Sequence, residues 1–206
     1  VLIFNGEIFN YNDLIYRYKN NFLPKTTCDT ELLSWLFDNF NYEEVLSNII
    51  DSMHGLVWYN KSKNEIILSR DHVGIKPLYF SFVKAGLIFC SEIKGLLSHV
   101  NDSNKIDRQS LACTSLLGVN VLRQTIFNGI FKVFPGETIV YSLDQKKIKK
   151  TFRTLVKPYS NKKFLYDEFL HETSIAIKNS TLGTRKFGIF LSGGIDSSIV
   201  AYELNK

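Results

Sequence analysis

From Phe187 to Ser198 the chain reads FGIFLSGGIDSS, a string that few local folds can accommodate. Gly188, Ile189, Phe190 and Leu191 make a short apolar run without alternation, the pattern of a parallel-sheet strand buried on both faces. Ser192, Gly193 and Gly194 break the run, and adjacent glycines accept positive φ and let a backbone come close to a ligand. Asp196, Ser197 and Ser198 then open an apolar-periodic segment that carries Ile199, Val200 and Leu204. The expected local fold is strand, tight turn and helix start. Such a helix end offers unpaired N–H groups and the positive end of the helix dipole, and the serine hydroxyls add donors, so phosphate is the ligand it suits. No Gly-Lys-Ser/Thr follows, which excludes a Walker A loop, and the third glycine of a dinucleotide fingerprint is missing. On the residues alone, an ordinary turn in which Asp or Ser caps the helix is an equal alternative.

A chain of 206 residues, 45% hydrophobic and 14% aromatic, can bury a core in one domain or two. The net charge of +5 and pI near 9.0 raise nucleic acid as a partner. The lysines are scattered, however, except around Lys146 to Lys150 and Lys157 to Lys163, which read as a solvated hairpin and a linker; no nucleic-acid partner is expected. Three cysteines, Cys28, Cys90 and Cys113, are odd in number and lack metal-ligand spacing, the usage of reduced thiols. No apolar run reaches membrane-spanning length and no leader pattern opens the chain, so a soluble cytoplasmic protein is expected. Val1 to Phe4 reads as a buried strand with nothing before it to supply a neighbour, and Lys206 comes only a few helical turns after the phosphate-type loop. The expectation is a fragment of a longer protein.

The strand Val1 to Phe4 runs into Asn5, Gly6 and Glu7. Asn-Gly after a strand signals a turn, but the next residues disfavour a hairpin: Asn12 and Asp13 suit a helix start, and Leu14, Ile15 and Tyr18 recur at helical spacing. A second helix is predicted from about Thr30 to Phe40, with Leu32, Leu33, Leu36, Phe37 and Phe40 as its apolar stripe and Asp29 at its N-cap position. A third helical segment is predicted near Tyr42 to Ile50. Strands are predicted at Gly55 to Tyr59, Glu65 to Ser69, Leu78 to Phe82 and Leu87 to Cys90. Arg70 and Asp71 are expected to structure a corner, with Gly74 and Pro77 as turn residues. A helix near Asp107 to Leu117 precedes strands near Ile130 to Val133, Thr138 to Leu143 and Ile148 to Phe152. Polar residues from Thr154 to Lys163 mark a domain boundary, and a helix from about Phe164 to Asn179 leads to the glycine loop.

NGEIFNYNDL (Asn5 to Leu14), CDTELL (Cys28 to Leu33), RDHVGIKPLYF (Arg70 to Phe80), SEIKGLL (Ser91 to Leu97), TIFNGIFKVFPGE (Thr125 to Glu137) and LSGGIDSS occur in this order. The set resembles the glutamine-hydrolysing asparagine synthetases, and the last string resembles the pyrophosphate-binding loop of the ATP pyrophosphatases. The resemblance implies an α/β protein. Residues 1–157 would be a truncated four-layer α/β/β/α N-terminal-nucleophile glutaminase, and residues 158–206 the start of a parallel-sheet α/β ATP-pyrophosphatase domain. It implies glutamine, aspartate and ATP with Mg2+ as reactants, and a homodimer as the oligomer to look for.

Family members hydrolyse glutamine with an amino-terminal cysteine, pass ammonia through a tunnel and attack β-aspartyl-AMP. By that resemblance Asn5 and Gly6 supply the oxyanion donors, and Asn5, Gly6, Glu7 and Asp29 bind glutamine. Leu191 matches the backbone that reads adenine. Ser192, Gly193, Gly194, Asp196, Ser197 and Ser198 match the phosphate cradle, with Asp196 placed to reach phosphate-bound magnesium. None of the three cysteines is amino-terminal, so the nucleophile is expected outside this chain and the chain alone is expected to be inactive. Where the family shows Gly-Met-Phe-Ala-Phe-Ala this chain has Ser52 to Val57, which puts His54 at an apolar-ring position as a hydrogen-bonded core residue with no assigned role. A non-catalytic glutamine-binding or scaffold relative, or a related ligase with another acceptor such as a β-lactam synthetase or a glycan-amidating enzyme, are the alternatives.

Overall fold

The computed structural model describes residues 1–101, 105–153, 165–181 and 186–206. In chain order the elements are β1 (Leu2–Ile8), α1 (Tyr11–Tyr18), α2 (Asp29–Asn39), α3 (Tyr42–Glu44), β2 (Ser52–Asn60), β3 (Glu65–Arg70), β4 (Tyr79–Val83), β5 (Gly86–Cys90), α4 (Lys94–Leu97), α5 (Arg108–Leu117), β6 (Phe131–Lys132), β7 (Glu137–Ser142), β8 (Lys147–Arg153), α6 (Tyr166–Asn179) and α7 (Ile195–Leu204). Two compact units, Val1–Val156 and Lys157–Lys206, divide the chain. The boundary expected between residues 157 and 158 lies outside the described residues.

The first unit stacks two antiparallel sheets, one of five strands in the order β1-β2-β3-β7-β8 and one of three in the order β5-β4-β6. Side-chain alternation explains how the large sheet serves two cores. Leu56, Trp58, Ile67 and Val140 face the helices, where Leu14 of α1 and Leu32, Leu33, Leu36 and Phe37 of α2 cover them. Val57, Leu68 and Ile139 face the other way and meet Leu78, Phe80 and Val133. All six residues of β7 are buried, because it lies between two covered faces. The α, β and β layers are thus explicit, and α4 against β5 begins the outer helical layer. Gly95 makes that contact possible, since a Cβ there would lie 2.6 Å from Cys90 Sγ.

Local chemistry sets the connections. Asn60 Oδ1 accepts from Ser62 Oγ (2.8 Å) and Lys63 N (3.3 Å), which closes the β2–β3 turn. Asp107 caps α5 by accepting from Ser110 N at 2.8 Å, and Gly118 ends it at φ 71°. The third helical segment is one α turn continued by π-helical Val45–Ile49, which turns Val45, Leu46 and Ile49 into one core.

β1 is longer than its apolar run: it continues through Asn5, Gly6 and Glu7 to Ile8, paired with β2 throughout. In the second unit the expected parallel strand at residues 188–191 is not formed. Residues 186–192 carry no strand, and Phe190 is fully exposed. A buried strand is stabilised by neighbours that pair with it and cover its faces, and no described residue does either.

Candidate functional site

Hydrogen-bond phase along β1 decides what its end can offer. Tyr59 N donates to Val1 O at 2.8 Å, and Phe9 N donates to Asp51 O at 2.7 Å. With Leu2 opposite Trp58 and Ile8 opposite Ser52, odd-numbered residues of β1 form the hydrogen-bonded pairs. Even-numbered residues therefore turn their N–H and C=O groups away from β2. Because β1 is the edge strand among the described residues, Gly6 directs its N–H to the side of β1 away from β2. Gly6 sits in a closely spaced pair, and a Cβ there would lie 2.1 Å from Met53 O; only glycine fits this register.

Ile8 N–H points outward in the same way and donates to Asp29 Oδ2 at 3.1 Å. Asp29 is the first residue of α2 and makes no cap bond; Cys28 holds the N-cap position. The cap expected for Asp29 is thus replaced by a bond to another element, which no local pattern encodes. Its other oxygen, Oδ1, has only long contacts, 3.5 Å to Thr30 Oγ1 and 4.0 Å to Cys28 Sγ. Glu31 fixes the preceding loop by accepting from Lys25 N (2.9 Å), Thr26 N (2.9 Å) and Thr26 Oγ1 (2.7 Å). The Thr26 hydroxyl and the Lys25 N–H hold the Glu31 carboxyl below its ordinary range. Burial, helped by Glu31, Asp29 and Cys28, raises the Tyr11 phenol. The structure thus brings Asp29 to the end of β1, one residue beyond Glu7, in an acidic surrounding.

Asn5 lies on the opposite face of β1 from the helices. Its Nδ2 donates to Ser91 Oγ at 3.2 Å, a residue just past β5. Between β3 and β4, Arg70 and Asp71 structure the corner as expected. Asp71 is 1% exposed and accepts from Val73 N, Gly74 N and Ile75 N through Oδ1, and from His54 N and Lys76 N through Oδ2. Burial would raise its carboxyl, but these N–H groups outweigh burial and hold it low. Arg70 donates to the carbonyls of Lys76 (2.7 Å), Val133 (3.0 Å) and Gly74 (2.7 Å). His54 is a satisfied core residue: its ring bonds Ser52 Oγ at 2.8 Å and Ser69 Oγ at 3.2 Å, and Ser69 Oγ meets Thr138 Oγ1 at 2.9 Å. Burial pushes the imidazole down to about 4 against the pull of Asp71.

In the second unit, Gly193 is left-handed at φ 80°, and Gly194 stands at the N-cap of α7 with no side-chain cap bond. Neither Asp196 nor a serine caps the helix. Instead Ser197 Oγ and Ser198 Oγ donate to Gly194 O at 3.1 and 2.8 Å, and Ser192 Oγ meets Ser197 Oγ at 3.1 Å. The first helical bond runs from Ser198 N to Gly194 O, so the N–H groups of Ile195, Asp196 and Ser197 face the exposed loop without intrahelical acceptors.

Known proteins share both parts. The glutamine amidotransferase domain family matches residues 1–153, and the asparagine synthase family matches residues 168–206. The chain belongs to the glutamine amidotransferase domain family. A Methanocaldococcus jannaschii protein assigned as asparagine synthetase [glutamine-hydrolyzing] 2 is 30% identical over 97% of this chain and 39% of its own length. Asparagine synthetase [glutamine-hydrolyzing] 1 of Bacillus subtilis is 32% identical over 97% of this chain and 32% of its length. The Bos taurus asparagine synthetase is 25% identical over all of this chain and 36% of its own length. The chain therefore spans about a third to two-fifths of the length of these relatives. Among solved structures, the glutamine phosphoribosylpyrophosphate amidotransferase of B. subtilis matches 82% of this chain and 31% of its own at 19% identity, with a TM-score of 0.48.

Against this family, the four glutaminase positions expected from sequence, Asn5, Gly6, Glu7 and Asp29, fall on β1 and on the helix end that bonds to it. Sequence reasoning assigns no role to Ser91, although SEIKGLL is one of the strings that carry the resemblance. No helix among the described residues is long and apolar enough to cross a membrane.

Proposed function

We propose that the chain carries the glutamine-hydrolysing part, and the beginning of the ATP-using part, of an enzyme that amidates aspartate to asparagine and releases AMP and pyrophosphate. The end of β1 carries this reading. Attack on the glutamine amide places negative charge on its oxygen, and that charge needs donors already in position. Gly6 supplies an N–H turned out of the ladder, and Asn5 supplies a neutral amide beside it. Glu7 and the open oxygen of Asp29 offer negative charge to the glutamine ammonium. The attacking thiolate belongs to the family's amino-terminal cysteine; Cys28, Cys90 and Cys113 take no part.

The loop of the second unit suits ATP phosphates, because unpaired N–H groups, serine hydroxyls and a left-handed glycine line one exposed turn. Ser192, Gly193, Gly194, Ser197 and Ser198 would hold pyrophosphate oxygens and Asp196 the accompanying Mg2+, with the Leu191 backbone toward adenine. ATP activates the acceptor carboxylate when bound. A homodimer belongs to the same reading and is tested by mass in solution.

The deciding experiment measures glutamine hydrolysis by the complete gene product and its Asn5→Ala variant. Loss of one oxyanion donor lowers kcat about 10²–10³-fold. An unchanged kcat would remove the reading.

A further inference from the structure

We propose that Ser91 is a positioning residue for glutamine hydrolysis, acting by aiming the Asn5 amide; the inference rests on Asn5 being an oxyanion donor. An asparagine amide has two N–H groups and turns about two side-chain torsions, so a useful donor must be held in one orientation before charge develops. Asn5 is exposed among the described residues, so none of them packs closely against its side chain. Among the described residues its side chain makes one bond, Nδ2 to Ser91 Oγ at 3.2 Å. That bond occupies one N–H and leaves the second free to donate to a ligand. Both ends of the contact rest on fixed backbone. Asn5 lies in a hydrogen-bonded pair with Gly55, and Gly55 is itself closely covered, since a Cβ there would lie 2.9 Å from Pro77 O.

Ser91 is equally constrained. It comes directly after Cys90, which pairs with Tyr79 at the end of β5, and it leads into α4. α4 is seated on β5 where Gly95 lies so close to Cys90 Sγ that a Cβ would come within 2.6 Å, and Leu96 is 2% exposed. The neighbouring charges are already committed, Lys94 Nζ to Glu92 Oε2 at 2.6 Å, so neither competes for the Asn5 amide. Ser91 thus stands on the smaller sheet and reaches a residue of the larger one, 86 positions away in sequence. A hydroxyl suits this role because it accepts from the amide, is neutral and leaves the developing charge to Asn5.

The test is a double-mutant cycle on the complete gene product, with glutamine hydrolysis as the readout. Ser91→Ala should lower kcat about tenfold while KM stays within about twofold, and Ser91→Thr, which keeps the hydroxyl, should restore most of it. In an Asn5→Ala background, Ser91→Ala should cause no further loss, because the group it aims is gone. If Asn5→Ala lowers kcat and Ser91→Ala does not, or if the two losses multiply, the positioning role is wrong while the function stands. If Asn5→Ala itself leaves kcat unchanged, the underlying reading fails instead. A fall in Tm that accounts for the whole activity loss of Ser91→Ala, without rescue by Thr, would also overturn the proposal.

Discussion

Ile8 N–H and Asp29 Oδ2 meet at 3.1 Å, so the carboxylate at the head of α2 closes the outward-facing end of β1. One oxygen of Asp29 is structural and the other is open to a ligand. The two roles separate by substitution. Asp29→Asn keeps an acceptor for Ile8 but loses the charge, and should raise the glutamine KM of the complete gene product at least tenfold with little change in Tm. Asp29→Ala loses both and should also cost about 1–3 kcal/mol of stability. Equal losses of stability in the two variants, with KM unchanged, would leave Asp29 a purely structural residue.

Gly6→Ala tests the register itself. The new Cβ would lie 2.1 Å from the Met53 carbonyl oxygen, and 3.0 Å from both His54 Cα and a ring carbon of Phe4. Backbone cannot yield as a side-chain tip can, so β1 must move. A loss of about 3 kcal/mol is expected from urea midpoints. Gly118→Ala is the control: φ is 71° but nothing lies within 4 Å, and about 1 kcal/mol is expected. Similar costs at both sites would contradict the ladder phase assigned to Gly6.

His54 should make the fold acid-sensitive in a window of its own. Its pKa falls from 6.5 in the unfolded chain to about 4 in the fold, chiefly through burial. The unfolded state therefore binds more protons between these values, and stability falls as pH drops from 6.5 toward 4, by on the order of 3 kcal/mol in all. The depressed carboxylates Glu31, Glu43 and Asp71 act at lower pH, below their ordinary 4.5 and 3.8. Chemical denaturation at pH 5 and pH 7 should show the difference, and His54→Gln should remove most of it. A wild-type stability flat between those pH values is the outcome that refutes the neutral buried histidine.

How much of this fold is legible in the sequence depends on the range of each interaction. Helices and hairpins can be read from periodicity and turn residues because those signals are local: α2 lies where Leu32, Leu33, Leu36 and Phe37 repeat, and β2 to β5 where apolar runs meet polar turns. β1 reads too short, since Asn5, Gly6 and Glu7 look like a turn until β2 pairs with them. Asp29 reads as a cap because its true partner, Ile8, is 21 residues away. The bond from Asn5 to Ser91 is invisible for the same reason. The apolar run at residues 188–191 carries a strand signal, but a strand also needs partners, and the described residues contain none. The glutaminase positions come from the resemblance, while the physical reason Gly6 must be glycine comes only from the fold.

The glycine loop of the second unit gives the last prediction. No side chain caps α7, and Ser197 and Ser198 turn their hydroxyls back to Gly194 O. If these residues only stabilise the turn, Ser197→Ala should cost on the order of 1 kcal/mol and lower both activities of the complete gene product modestly. If they cradle pyrophosphate, Ser197→Ala and Asp196→Ala should abolish ATP–pyrophosphate exchange and amide synthesis while glutamine hydrolysis persists. On the proposed reading that reaction uses Asn5 and Gly6 in the other unit, so it is an internal control for folding. Asp196 adds discrimination, because it makes no cap bond and its loss leaves the hydrogen bonds of the loop intact. A variant in which Asp196→Ala keeps full exchange activity would show that the carboxylate does not reach the metal-bound phosphates. Parallel loss of both activities with a lowered Tm would instead assign the loop a structural role.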